Sequence, residues 1–218
     1  MTTDASWNVG KELLLKQFQL SRGESENAGR VPGGVVANPN SSSAGRVAAV
    51  VPQVDPRTLS GPACANAAPG TCLSVAMEGR RPLMTEVQAL VAPSTLAAPR
   101  RTVVGLDGGR VSTILAVLEA RCAVPFAGLD VFLNVAGGMR VAEPAADLAI
   151  AAALLSARED HALPAEAVFF GEISLSGALR PVSQAENRLK EATKLGFSHA
   201  IVPAGQKIEG ADGMRLER

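Results

Sequence analysis

From residue 72 onward the chain alternates between short apolar runs and polar breaks whose spacing defines a series of elements. Cys72 to Met77 and Met84 to Val91 read as strands joined through Glu78-Gly79-Arg80-Arg81-Pro82, and Arg101 to Leu106 reads as a third, ending at Asp107-Gly108-Gly109. A helix follows, because Val111, Ile114, Leu115 and Leu118 recur at i, i+3, i+4 and i+7 and share one face. Either Asp107 or Ser112 is placed to cap its start. Leu129 to Ala136 alternates, with Val131, Leu133 and Val135 on one face and Asp130, Phe132 and Asn134 on the other, until Gly137-Gly138 stops it.

The next helix opens at Pro144, a favoured first-turn residue, and stays apolar nearly all round to Ala157. Such a helix is expected to be buried on several sides, its alanines allowing close approach. Val168 to Leu175 and Ala178 to Val182 are expected to form a hairpin around Ser176-Gly177. Ser183-Gln184-Ala185-Glu186 fits a capping box, in which Ser183 and Glu186 satisfy each other's backbone donors. Leu189, Ala192 and Leu195 then face inward, Gly196 ends the helix, and Ser198 to Pro203 closes the domain as a strand. The order β-β-β-α-β-α-β-β-α-β describes an α/β domain of about 135 residues, near the commonest domain size. Its expected bounds are 67–204, with a polar tail over 205–218.

Residues 1–66 differ in character. One helical patch, Lys11 to Leu20, precedes a stretch broken by Gly29, Pro32, Gly33, Gly34, Asn38-Pro39-Asn40, Pro52, Pro56, Gly61 and Pro62. So dense a set of turn formers, with few large apolar side chains, offers little surface to offset chain entropy, and a disordered leader or linker is expected.

Composition narrows the function classes. Hydrophobic residues make up 47% of the 218, yet aromatics are only 3% and tyrosine is absent, so the core must be built from Ala, Val, Leu and Ile. Positive and negative side chains balance at 21 each, so any anion site is a local patch rather than a global field. Cys64, Cys72 and Cys122 lack metal-ligand spacing and read as reduced thiols, which points to the cytoplasm. No apolar run is long enough to span a bilayer, and the N-terminus lacks a secretory pattern, so no membrane partner is expected.

Several blocks in fixed order carry a resemblance: Glu78-Gly79-Arg80-Arg81-Pro82, Glu86-Val87-Gln88-Ala89-Leu90-Val91, Pro99-Arg100-Arg101, Ala116-Val117-Leu118-Glu119-Ala120-Arg121, Leu133-Asn134-Val135-Ala136-Gly137-Gly138, Glu143-Pro144-Ala145-Ala146-Asp147, Gly171-Glu172-Ile173, Arg188-Leu189-Lys190-Glu191-Ala192 and Lys194-Leu195-Gly196-Phe197. The region is similar to the C-terminal Lon protease-like domain of the RadA (Sms) family of bacterial DNA repair proteins. The resemblance implies the fold of the Lon protease domain and of domain two of ribosomal protein S5, a mixed sheet packed with helices. It also implies a family parent that is a ring-forming, ATP-driven motor on branched DNA, with a four-cysteine zinc finger and a RecA-like ATPase core. Neither feature is in this sequence. Gly105-Leu106-Asp107-Gly108-Gly109-Arg110 has glycines but neither the lysine nor the hydroxyl that phosphate and magnesium require, and no Cys-x-x-Cys pair occurs. No cofactor is expected here; ATP, magnesium and zinc belong to the family's other domains.

A Lon-type peptidase needs a serine nucleophile deprotonated by a buried lysine. The resemblance aligns that serine with Ala145 and that lysine with Glu186, so no peptidase chemistry is expected at those positions. What remains is assembly, implied as a hexameric ring, and DNA contact through Arg80, Arg81, Arg100, Arg101, Arg110, Arg140, Arg180, Arg188 and Lys190, with arginine suited to phosphate by its planar fork. Two alternatives stay open. One is a peptidase-fold enzyme with a relocated dyad drawn from Ser156, Ser174, Ser176 or Ser183 and Lys190; the other is a purely structural collar. His161 and His199 stand alone and read as packed or solvated residues.

Overall fold

The computed structural model describes residues 68–208 and 213–217. The expectations for the leader, including Cys64, lie outside the described residues. The chain order is β1 (Thr71–Glu78), β2 (Arg81–Pro93), β3 (Arg101–Val104), α1 (Gly108–Cys122), β4 (Leu129–Val135), α2 (Asp147–Glu159), β5 (Ala167–Phe169), β6 (Glu172–Ile173), β7 (Leu179–Arg180), α3 (Ala185–Lys194), β8 (His199–Ile201) and β9 (Arg215–Glu217). Two short 3-10 turns, Ala136–Gly138 and Pro144–Ala146, precede α2.

The main sheet runs β1-β2-β4-β3, antiparallel except for the parallel β3–β4 pair that α1 connects, so the expected mixed sheet is present. The β1–β2 hairpin closes over Gly79-Arg80, with Gly79 at φ 62, a conformation glycine adopts without a Cβ penalty. Pro82 pairs with Met77 at a point where β4 does not reach, so its missing N–H costs no ladder bond.

Strand β1 is buried on both faces. Cys72 and Ala76 join a core with α1, α2 and the inner face of the sheet, while Leu73 and Val75 join a second core with α3, Phe170 and Val202. That double burial explains the nearly unbroken apolar run in its sequence. Helix α2 is buried from Asp147 through Ser156, and its alanines let β1, β2 and α1 approach closely. Each buried Leu or Ile there contributes about 1.5–3 kcal/mol relative to exposure.

Three expectations need correction and one alternative is resolved. The capping box does not form: α3 is entered through Gln184 in the left-handed region at φ 57, with no side-chain cap, which leaves Ser183 one residue too early for the reciprocal bonds. The expected hairpin over 168–182 is broken in two. β5 pairs in parallel with β8 in a second sheet, and only the short β6 and β7 pair with each other around the Ser176-Gly177 turn. The division falls at Phe170-Gly171, where a Cβ on Gly171 would meet Pro203 Cγ at 2.9 Å. The C-terminal residues are not merely a polar tail, since β9 pairs with β8 and Met214 is buried in the second core. At α1, Asp107 is the cap, its carboxylate accepting the Arg110 N–H at 2.7 Å, while the Ser112 hydroxyl donates to the Gly108 carbonyl.

Gly105 fixes the approach to the site. It sits at φ +77, and an added Cβ would lie 2.5 Å from the Met139 carbonyl oxygen, while its own carbonyl accepts the Val141 N–H at 2.8 Å. Gly105→Ala is therefore expected to lower stability by about 1–3 kcal/mol, read from urea unfolding midpoints. An unchanged midpoint would contradict the close approach.

Candidate functional site

Helix α3 carries Arg188 on its inward face, and the chain entering α2 carries Glu143; the fold brings both to the outer edge of β1. Arg188 is 1% exposed. Its Nη1 donates to Glu143 Oε1 at 2.8 Å and to the Val75 carbonyl, its Nη2 to Glu143 Oε2 at 2.6 Å, and its Nε to the Ser183 carbonyl at 3.2 Å. Glu143 Oε1 also accepts the Met77 N–H at 2.7 Å. The guanidinium stands 5.9 Å from the centroid of the Phe170 ring. The pair thus satisfies a fork, a carboxylate and two outward backbone groups of an edge strand at once.

Beside it opens a groove of about 720 Å3, with Ala76–Gly79 and Leu83 on one wall and Met139–Glu143 on the other. Ala145, at the expected nucleophile position, is buried, and its carbonyl accepts the Gly171 N–H at 2.8 Å. Glu186 is exposed and lines a separate cavity of about 210 Å3 with Gln206 and Lys207. The α3 residue that reaches the entry of α2 is therefore Arg188, two positions on. A helical-wheel placement of Arg188 beside the inward Leu189 and Ala192 was the available signal.

Arg188 is consequently not a surface cation, and its assignment to DNA is corrected: its donors are spent inside the domain. The other arginines divide. Arg110 donates through Nε (2.7 Å) and Nη2 to the Asp147 carboxylate, and Arg100 through Nε (3.1 Å) and Nη2 (3.0 Å) to Asp130. Arg101 donates to the carbonyls of Leu129 and Phe126 (3.0 Å to the latter), and Arg180 lies 3.9 Å from Glu172. Arg80, Arg81, Arg140 and Lys190 are exposed. Arg81 starts β2, whereas Arg101 is level with Val91 ten residues further along it, so the two arginine pairs lie on the order of 30 Å apart at the strand rise of about 3.4 Å per residue. They cannot form one patch.

Of the hydroxyls named for a relocated dyad, those of Ser156, Ser174 and Ser176 have structural partners, while Ser183 is exposed and engages Arg188 through its carbonyl. Ser156 Oγ accepts the Gly70 N–H at 2.8 Å and donates to the His161 carbonyl, and Ser174 and Ser176 hydroxyls meet at 2.8 Å. His199 Nδ1 lies 2.7 Å from Ser198 Oγ, which donates to Glu166 at 2.5 Å; this places the hydroxyl between acid and imidazole rather than beyond the imidazole. Among the described residues no cluster of His, Cys, Asp and Glu converges as a metal site, and no helix is long and apolar enough to cross a membrane.

Four groups among the described residues are shifted from their ordinary values, the Arg110 guanidinium upward through its hydrogen bonds to Asp147. Burial pushes the Asp147 carboxyl up, opposed by the Arg110 fork and the Ile173 N–H. The Arg100 backbone N–H, which Asp130 Oδ1 accepts at 2.7 Å, together with the Ser94 hydroxyl, holds the Asp130 carboxyl below its usual range. Burial alone pushes the Cys72 thiol well up, which keeps it protonated and unreactive.

An α/β domain with a mixed sheet, an all-buried alanine-rich helix and an ion-paired strand edge is the class these features define. Residues 95–206, just over half of the chain, match the family described as subunit ChlI of Mg-chelatase, and the chain belongs to that family. Its curated homologues include proteins named DNA repair protein RadA. The one from Brucella abortus (strain 2308) is 62% identical over 137 residues, 63% of this chain and 29% of the relative. The one from Synechocystis is 52% identical over 147 residues, 67% of this chain and 29% of the relative. The one from Mycolicibacterium smegmatis is 46% identical over 156 residues, 68% of this chain and 33% of the relative. The chain thus spans about 30% of the length of the curated relatives it matches.

Removing Arg188 leaves the Glu143 carboxylate without its countercharge, with only the Met77 N–H, and the Val75 carbonyl without its donor, so Arg188→Ala should cost roughly 3–5 kcal/mol. Arg188→Lys should rescue little of it, because an ammonium cannot reproduce the two-pronged contact. Chemical denaturation of the two variants checks both, and full rescue by lysine would refute the fork's role. A second expectation concerns acid. The depressed Asp130 pKa contributes stability that is present above the ordinary value of 3.8 and is lost as pH falls through the folded value. The stability gap between wild type and Asp130→Asn should therefore be largest near neutrality and close below about pH 4, as followed by thermal melts across that range.

Proposed function

We propose that the chain from residue 67 through β9 forms a non-catalytic, Lon-like domain, sharing its fold with domain two of ribosomal protein S5, that serves a RadA-type DNA repair protein. In this reading the domain assembles into a ring, a hexamer by resemblance, and binds double-stranded or branched DNA in the cytoplasm beside a RecA-like ATPase domain. The observation that carries it is the 62% identity over 137 residues to a protein named DNA repair protein RadA. The residue at the nucleophile position supports the non-catalytic part, since the methyl group of Ala145 cannot attack a carbonyl. No hydroxyl hydrogen-bonds a lysine among the described residues, so nothing there favours the relocated dyad.

For DNA contact the exposed hairpin tip is the best candidate. Arg80 and Arg81 stand there with only Glu78, the register partner of Arg81, as a neighbouring acid on the same hairpin. Lys190 and Arg140 are further exposed cations. Arg100, Arg101 and Arg110 are mostly engaged by the protein and contribute less.

Anisotropy of a labelled duplex and of a labelled three-way junction, titrated with the full chain, tests the reading. Binding should be measurable at about 50 mM salt and fall steeply as salt rises. The Arg80→Ala/Arg81→Ala double variant should weaken it several-fold and reduce the salt slope by about one to two. Absent binding at low salt, with rings still seen by sedimentation, would replace this reading with the structural collar.

A further inference from the structure

The groove beside the ion pair has an open backbone wall. Met139 and Glu143 are extended (ψ 152 and 144), and between them Val141 donates its N–H to Gly105 and bridges Leu106 in parallel. Both main-chain groups of Val141 therefore face Gly105–Asp107. Alternation along an extended chain turns those of Arg140 and Ala142 the other way, toward the groove. Among the described residues no hydrogen bond holds the main-chain groups of either one.

The opposite wall is the end of β1. Met77 gives its N–H to Glu143, so its pair with Pro82 is a non-hydrogen-bonded one and its carbonyl also faces off the sheet. Deeper along that edge Arg188 already occupies the Val75 carbonyl, which limits strand pairing to the outer part of the groove. Between the walls the lining is apolar and adaptable: Met77, Leu83 and Met139, with Ala142 exposed at the mouth. The charge at the lip is positive. Arg140 lines it with no acid partner among the described residues, Glu78 faces Arg81 across the hairpin, and Glu143 is neutralised by Arg188.

We propose that this groove binds, without cleaving, an extended acidic peptide segment that pairs with the main chain of Arg140 and Ala142, places one apolar side chain against Met77, Leu83 and Met139, and sets a carboxylate beside Arg140. Strand addition supplies the affinity, the apolar pocket and the guanidinium supply the selectivity. A peptide fits better than a nucleic acid because the interior is apolar and offers no aromatic platform for a base. The proposal stands independently of DNA binding at the hairpin tip.

The test uses the full chain and a short fluorescein-labelled peptide alternating leucine with aspartate. Binding that persists with the peptide intact, and that drops about tenfold when lysine replaces aspartate or serine replaces leucine, is the expected result. Ala142→Trp, at an exposed position, fills the mouth and should reduce peptide binding about tenfold while leaving duplex anisotropy unchanged. Arg140→Glu, on the exposed lip, should reverse the preference toward the lysine peptide even if the tryptophan variant misfolds. No peptide binding at low salt, or equal binding by both variants and wild type, overturns the proposal. So does an Ala142→Trp variant that keeps the peptide and loses the duplex, which would give the groove to nucleic acid.

Discussion

Strand β1 lies at the edge of its sheet yet is buried on both faces, and that combination sets the central constraint of the molecule. An edge strand presents backbone donors and acceptors away from its neighbour, and where water is excluded each needs a partner. Arg188 takes the Val75 carbonyl and Glu143 takes the Met77 N–H, while the two side chains neutralise each other. One ion pair thereby docks α3 on β1, anchors the chain entering α2 and closes the edge against strand exchange. It also holds Glu143 at the inner end of the groove, so the segment from Met139 onward stands off β1 and leaves the space between them open.

The second constraint is steric. Helix α2 passes between neighbours on nearly every side, and only a run of alanines lets backbone layers come that near without cavities. Its first turn carries Asp147, whose carboxylate accepts both from Arg110 of α1 and from the Ile173 amide of β6. The helix entrance therefore gathers α1, β6 and, through Glu143, α3. Just ahead of that turn Ala145 is buried, and its carbonyl accepts the Gly171 N–H. The helix entrance is thus a structural junction with a groove at its side.

Elements with long, regular patterns were legible before the structure. The alternation of Val131, Leu133 and Val135 placed β4 correctly, and the spacing of Val111, Ile114, Leu115 and Leu118 gave α1 and its inner face. The all-round burial of α2 followed from composition alone. Short elements were harder. Residues 167–180 serve two different sheets, and β-type sequence does not say which neighbour a strand will take. The capping box failed for a related reason: Gln184 is held by its side-chain bond to the Gly79 carbonyl, a contact 105 residues away that local propensity does not contain.

The arginines show the same division. Sequence determined that this chain has a serine-free, lysine-free pair of positions at 145 and 186, an alanine-built helix and a set of scattered cations, because those properties reside in residue identity and local period. Only the tertiary structure decided which cations reach solvent. Arg188 and Arg80 look alike in the sequence, yet one is buried on the inner face of α3 against the half-buried Glu143 carboxylate and the other stands at a hairpin tip. That outcome depends on which strand edge needed a partner, and strand edges exist only after distant segments have paired.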